Sequence, residues 1–360
     1  MNRSNINSKK SIIQNIKNFK IYLNERFPLG KNSFFVLIFT LSGYIYAGLL
    51  YNSKIIKSIL SKEVNRVPLL WGKEIDKIPI IWYKLFPLFI IIFMIFFQLR
   101  ITDEFKDYEE DLKYRPYRPV QRGIISLKAL GKIGIATIII QIILAHVINS
   151  KLIYFMLLVW IYMFLMTKEF FIKNWLTERI LIYALSHVVI MIFITLVILK
   201  GTGYILESHF LESLYLSLER YEKNIFIGLI PLFALNYLNG IVLEIGRKTR
   251  RANEEEYGVQ TYSKLWGRKK AVFILCILYA IEYILVLLGL SNMYKEFFMT
   301  GTLILTITLV ISIYFMIKFL KKDLTGKIPE NISGIWILIS SMNMGLIQYA
   351  VFYILSLLKS

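Results

Sequence analysis

The sequence predicts an all-α, polytopic membrane protein with nine transmembrane helices, and three observations carry that prediction. Of its 360 residues, 56% are hydrophobic. Those residues gather into runs close to the ~20 residues that cross a hydrocarbon core. The charged residues collect in the segments between the runs. The spans are expected at about 33–51, 80–99, 130–148, 152–167, 180–199, 225–243, 271–290, 299–318 and 333–357. Residues 1–32 are set apart as a cytoplasmic basic amphipathic segment, and 33–360 form one membrane domain with no cleavable leader.

Taken in order, the N-terminal segment spaces Ile12, Ile16, Phe19, Leu23 and Phe27 three or four apart, with Lys9, Lys10, Lys17 and Lys20 between them. That is the pattern of a helix lying on an anionic leaflet, read here as an anchor. The first span opens into a basic stretch over 51–79, and the second ends in the densest charge cluster of the chain, Arg100–Gly123. Only 149–151 separate the third and fourth spans, which suits a tight helical hairpin. A short polar link, 168–179, leads to the fifth span. An amphipathic stretch over 209–224 covers part of the outer face, and the sixth span opens into a second charged loop, 244–267.

A net charge of +19 raises the question of nucleic acid. Its distribution answers it. Most of the 43 Lys and Arg residues lie in the N-terminal segment and in the loops after the second, fourth, sixth and eighth spans. The positive-inside rule places those segments in the cytoplasm, in a bacterial plasma membrane, and the C-terminus outside. The basic residues then meet lipid headgroups and anionic substrate, and no nucleic-acid partner is expected. The single cysteine, Cys276, sits inside a span as a small hydrophobe and offers no disulfide. His146 and His187, both inside spans, read as packed, hydrogen-bonded residues.

Within Arg100–Gly123, Asp103, Asp107 and Asp111 recur every four residues, so on a helix they form one stripe. Carboxylates on one face suit Mg²⁺, which is held by a few of them together with substrate phosphates. Lys106, Lys113, Arg115, Arg118 and Arg122 supply the charge a phosphate needs. The cluster therefore reads as a metal–diphosphate site at a membrane surface. In the second loop, a continued helix would put Glu244, Arg247, Lys248, Arg251 and Glu255 on one face. A solvated stripe of i,i+4 ion pairs accounts for that pattern equally well.

These residues resemble the UbiA superfamily of intramembrane prenyltransferases, in which nine helices surround a central cavity and two acidic motifs follow the second and sixth helices. The first family motif, Asn-Asp-x-x-Asp-x-x-x-Asp followed by Arg-Pro and Gly, is similar to Asp103-Glu104-Phe105-Lys106-Asp107-Tyr108-Glu109-Glu110-Asp111, then Arg118-Pro119 and Gly123. The second motif keeps its Gly-x-x-Thr tail in Gly258-Val259-Gln260-Thr261, with Gly267 after it. Glu254 and Glu244 stand near its last and first aspartates, but Arg250 stands at its middle one. The resemblance implies Mg²⁺ on Asp103, Glu104, Asp107, Asp111, Glu244 and Glu254. It implies diphosphate on Lys106, Arg115, Arg118, Arg122, Lys168, Arg247, Lys248, Arg250 and Arg251. Arg250 and its basic neighbours are expected to stand in for part of a second metal site.

The expected activity is Mg²⁺-dependent transfer of a polyprenyl group from its diphosphate to an aromatic or lipid acceptor. An intramembrane terpene cyclase needs the same cavity and metal and stays open as an alternative. A non-catalytic lipid-binding protein or transporter is a third reading. The placement of the charged clusters at one interface, with no paired broken spans, argues against the transporter.

Overall fold

The structure is a computed structural model that describes residues 3–53, 82–203, 220–291, 293–321 and 325–359. The basic stretch over 51–79 and the amphipathic stretch over 209–224 lie largely outside the described residues. All regular structure among the described residues is helical. In chain order α1 is Arg3–Arg26, α2 Leu29–Tyr51, α3 Trp82–Lys106, α4 Tyr108–Tyr114, α5 Leu127–Ile148 and α6 Leu152–Thr167. They continue as α7 Lys173–Thr177, α8 Ile180–Val188, α9 Ile190–Thr202, α10 Arg220–Arg247, α11 Tyr262–Trp266 and α12 Arg268–Ser291. The last three are α13 Lys295–Lys321, α14 Lys327–Met344 and α15 Leu346–Lys359.

Seven helices or collinear pairs among the described residues are long and apolar enough to cross a membrane. They are α2, α3, α5, α8 with α9, α10, α12 and α13. The ninth expected segment is an eighth span if α14 and α15, bent by 41°, count as one. The fourth expected segment, α6, has 16 residues. It therefore spans roughly 24 Å at 1.5 Å per residue, against about 30 Å of hydrocarbon. The bend before α15 falls at Gly345, where a Cβ would collide with the Ser42 carbonyl of α2. Glycine there lets the two backbones touch and leaves the last span broken around α2.

Helix α2 is the most enclosed span, packed against α3, α9, α10, α14 and α15. One apolar core joins α10, α12, α13 and α14 around Tyr279, Trp336 and Phe297. A second joins α2, α3, α6 and α9 around Leu88, Ile91, Ile95 and Ile194. Outward faces carry stripes such as Ile135, Ile139, Ile143 and Val147 on α5, or Leu303, Ile307 and Val310 on α13. Continuous apolar faces of this length are what lipid tails solvate.

The N-terminal segment divides between two roles. Ile13 and Ile16 are exposed. Phe19, Tyr22, Leu23 and Phe27 instead pack on Phe97 and Ile101 of α3 and on Val120, Ile125 and Leu130 after it. The second half of α1 therefore clamps the C-terminal end of α3 and the loop that follows.

Candidate active site

The last turn of α3 lifts Asp103, Glu104 and Lys106 out of an apolar span. The helix then breaks at Asp107 (φ −93, ψ 7) before α4 resumes. Backbone bonds from Asp107 N to Asp103 O (2.9 Å) and from Asp111 N to Asp107 O (2.8 Å) carry the four-residue spacing across the break. The carboxylates nevertheless meet different surroundings. The side chains of Asp103 and Asp107 are 40% and 37% exposed, with Lys106 Nζ between them at 3.9 and 4.0 Å. Partial withdrawal from water, opposed by Lys106, raises the Asp107 carboxyl to about 6. A cation beside it would offset that cost.

The other two carboxylates of the motif are buried and paired. Glu104 is fully enclosed and accepts from Arg26 of α1 at 2.6 Å. Asp111 pairs with Arg115 at 3.2 Å and, more closely, with Arg118. Arg122 is tied to Glu25 of α1 at 2.6 Å. Among the described residues no three Asp, Glu, His or Cys side chains converge into a ready-made metal cage. Two open carboxylates remain, which fits Mg²⁺ held jointly by protein and substrate phosphate.

The second loop is held differently. Helix α10 stops at Arg247, so the face drawn from Glu244 to Glu255 is not continuous. Glu244 accepts from Arg247 at 2.6 Å and lies 2.7 Å from Lys248 Nζ, and the Arg247 charge acts on Asp103 opposite. The Arg250 guanidinium lies 3.9 Å from Glu256, whose other oxygen is 3.3 Å from Arg115. That shared carboxylate bridges the two loops, and Arg251 is partly buried. Glu254 accepts the backbone N–H of Gly326 at 2.7 Å. Glu255 accepts from the hydroxyls of Thr261 and Ser263, both at 2.6 Å. Gly258, at φ +77, closes the loop under the Tyr114 ring, where a side chain has neither the conformation nor the space. Lys168 is exposed in the link after α6.

Two charged loops thus dock on each other at the ends of α3 and α10, and one family pattern fits that arrangement. The model of the UbiA prenyltransferase family matches residues 68–325. The chain belongs to the UbiA prenyltransferase family. A solved structure, that of a digeranylgeranylglyceryl phosphate synthase in membranes, is similar at 17% identity over 87% of this chain and 98% of that one, with a TM-score of 0.47. No curated protein matches significantly.

This UbiA-family chain also assembles a polar cluster that its sequence motifs do not announce. Lys106 Nζ donates to the Tyr183 hydroxyl at 2.5 Å, and that hydroxyl is 3.5 Å from Glu169 Oε1. Tyr183 stacks on His187 with ring centroids 4.0 Å apart. Glu169 opens a turn in which three consecutive non-glycine residues take positive φ, at 50, 52 and 60. Each such residue costs roughly 1–2 kcal/mol relative to ordinary backbone. The turn holds Glu169 inward and lays Phe170 edge-on to His187 and Tyr162. The only sequence signals were ionisable and aromatic residues in or beside a span, and those have bland explanations in most membrane helices.

Proposed function

We propose that the protein transfers a polyprenyl group from its diphosphate to an acceptor within the membrane. Family membership supports prenyltransferase chemistry. The observation that carries the reading is the pair of open carboxylates, Asp103 and Asp107, with Lys106 between them at the end of a span. Asp103 and Asp107 would hold Mg²⁺. When bound, that ion neutralises the diphosphate and makes it a better leaving group.

Lys106 and Arg247 flank the same space and are assigned to the diphosphate oxygens, where negative charge grows as the allylic bond breaks. Lys248, Lys168 and Arg251 supply a basic rim. Glu104 and Asp111, held by Arg26 and by Arg115 with Arg118, fix the loop that presents the open pair. Arg250, Arg115 and Glu256 join the two loops, so Arg250 contributes by fixing the second loop beside the diphosphate. The polyprenyl tail lies among the helices, where apolar side chains exclude water from the reacting carbon.

Incubating the purified protein with farnesyl and geranylgeranyl diphosphates, Mg²⁺ and a membrane extract tests the reading. A labelled prenyl–acceptor adduct is expected. A cyclised hydrocarbon or alcohol formed from the diphosphate alone would favour the cyclase instead.

The same reading places the active-site loops and the N-terminus in the cytoplasm and the C-terminus outside. A cysteine introduced at Asn253 should be shielded from an impermeant thiol reagent added to intact cells. Ready labelling there would invert the topology.

A further inference from the structure

We propose that Tyr183 is a positioning residue of the diphosphate site: its hydroxyl, backed by Glu169, holds the Lys106 ammonium off Asp103 and Asp107, so that both carboxylates stay open to a divalent cation. The inference rests on the prenyl-transfer reading and deepens it by naming what sets the site's demand for that cation.

The motif itself creates the need for such a residue. Lys106 lies three residues after Asp103 and next to Asp107, on a flexible four-carbon stem. Its side chain is only 11% exposed, so water competes weakly for the ammonium. An ammonium free to move there closes onto a carboxylate at about 2.7–2.9 Å. Lys106 Nζ instead stands 3.9 Å from Asp103 Oδ1 and 4.0 Å from Asp107 Oδ1. Arg100 already engages the other Asp103 oxygen at 3.3 Å. Lys106 in direct contact would therefore leave Asp103 engaged at both oxygens and occupy Asp107 as well, on the lone pairs that Mg²⁺ needs.

The group that holds the ammonium at that distance comes from a different part of the chain. Lys106 Nζ is 2.5 Å from the Tyr183 hydroxyl of α8. An ammonium only donates, so the hydroxyl accepts from it and keeps its own proton to give. Glu169 Oε1, 3.5 Å away, is the acceptor for that proton. Tyr183 cannot follow Lys106 toward the carboxylates without breaking its stack on His187, where the ring centroids are 4.0 Å apart. Glu169 is fixed in its turn: its side chain is 7% exposed, and it opens the run of three residues at positive φ. Strain of that kind persists where the surroundings hold a working group in place.

The tether has two consequences at the site. One of the three N–H bonds of Lys106 is committed to Tyr183, and two remain for phosphate oxygens. The lone pairs of Asp103 and Asp107 that face Lys106 stay unoccupied at hydrogen-bonding distance by it. Without the hydroxyl, the protein's own ammonium competes with the divalent cation for the same two carboxylates.

Tyr183→Phe removes the tether and keeps the ring that stacks on His187. Binding of geranylgeranyl diphosphate to the purified full-length protein, titrated with Mg²⁺, gives a midpoint and a plateau. The Mg²⁺ concentration at the midpoint should rise about tenfold, the worth of one charge-assisted hydrogen bond, while the plateau stays at the parent's. Glu169→Gln keeps an acceptor behind the hydroxyl but removes its charge, and should move the midpoint the same way by less. On a Lys106→Met background the competing ammonium is gone, so adding Tyr183→Phe should leave the midpoint where it was. A Tyr183→Phe protein with the parent's midpoint overturns the proposal. So does a lower plateau at an unmoved midpoint, which marks a merely structural role, or an equal shift on the Lys106→Met background. A parent that binds no geranylgeranyl diphosphate at any Mg²⁺ concentration overturns the prenyl-transfer reading together with this inference. A parent that binds with Mg²⁺ beside an unshifted Tyr183→Phe variant overturns this inference alone.

Discussion

Replacing Asp103 and Asp107 together by asparagine is expected to lower prenyl transfer by at least ~10³-fold while leaving the protein folded. Both side chains are more than a third exposed, and among the described residues their ion pairs, to Arg100 and Lys106, stay within α3, so losing their charge costs little stability. Removing one preorganised electrostatic contact already costs roughly 10²–10³ in rate at comparable sites. Removing both carboxylates proposed to hold the metal should exceed that. Detergent-solubilised variant protein should elute as a single species at the parent's position, with thermal inactivation unchanged, while labelled product disappears. Full activity in the double variant would remove the metal site from Asp103 and Asp107.

Arg26→Ala should show the opposite pattern. It strands Glu104, which is fully buried, without its cation. Breaking such a pair from one side costs about 3–5 kcal/mol because the remaining charge stays desolvated. The loss should appear as a much lower thermal unfolding midpoint in detergent, with activity at low temperature largely retained. Adding Glu104→Gln to Arg26→Ala should restore part of the midpoint, since the stranded charge is gone. A single variant as stable as the parent would show that the clamp of α1 on α3 carries no weight.

The contrast between these variants also marks what the sequence disclosed. The apolar runs were legible because the length of a span is set by the bilayer, and eight of the nine expected segments reappear as long or bent spans. The remaining segment, α6, is the shortest at 16 residues. The spacing of Asp103, Asp107 and Asp111 was legible because helical periodicity is local.

Their division into open and buried carboxylates was not. It depends on Arg26, brought in by the packing of Phe19, Tyr22 and Phe27, and on Arg118 folding back over Asp111. The surroundings of the second loop were hidden for a related reason. Its glutamates sit near metal-ligand positions, yet α10 ends at Arg247 and the chain turns, so Glu254 and Glu255 serve backbone and hydroxyl donors. The Glu169–His187 pair was least visible. Its residues lie 18 positions apart on a strained turn and a helix, and no periodic pattern signals a backbone at positive φ.

The central claim is that open carboxylates at the end of α3 bind a prenyl diphosphate through a divalent cation. Binding of geranylgeranyl diphosphate to the purified protein, measured with Mg²⁺ and again after its removal by chelation, tests it most directly. Saturable binding is expected with Mg²⁺, its loss on chelation, and its recovery when Mg²⁺ is restored. Equal binding with and without the cation, or none under either condition, would contradict the account.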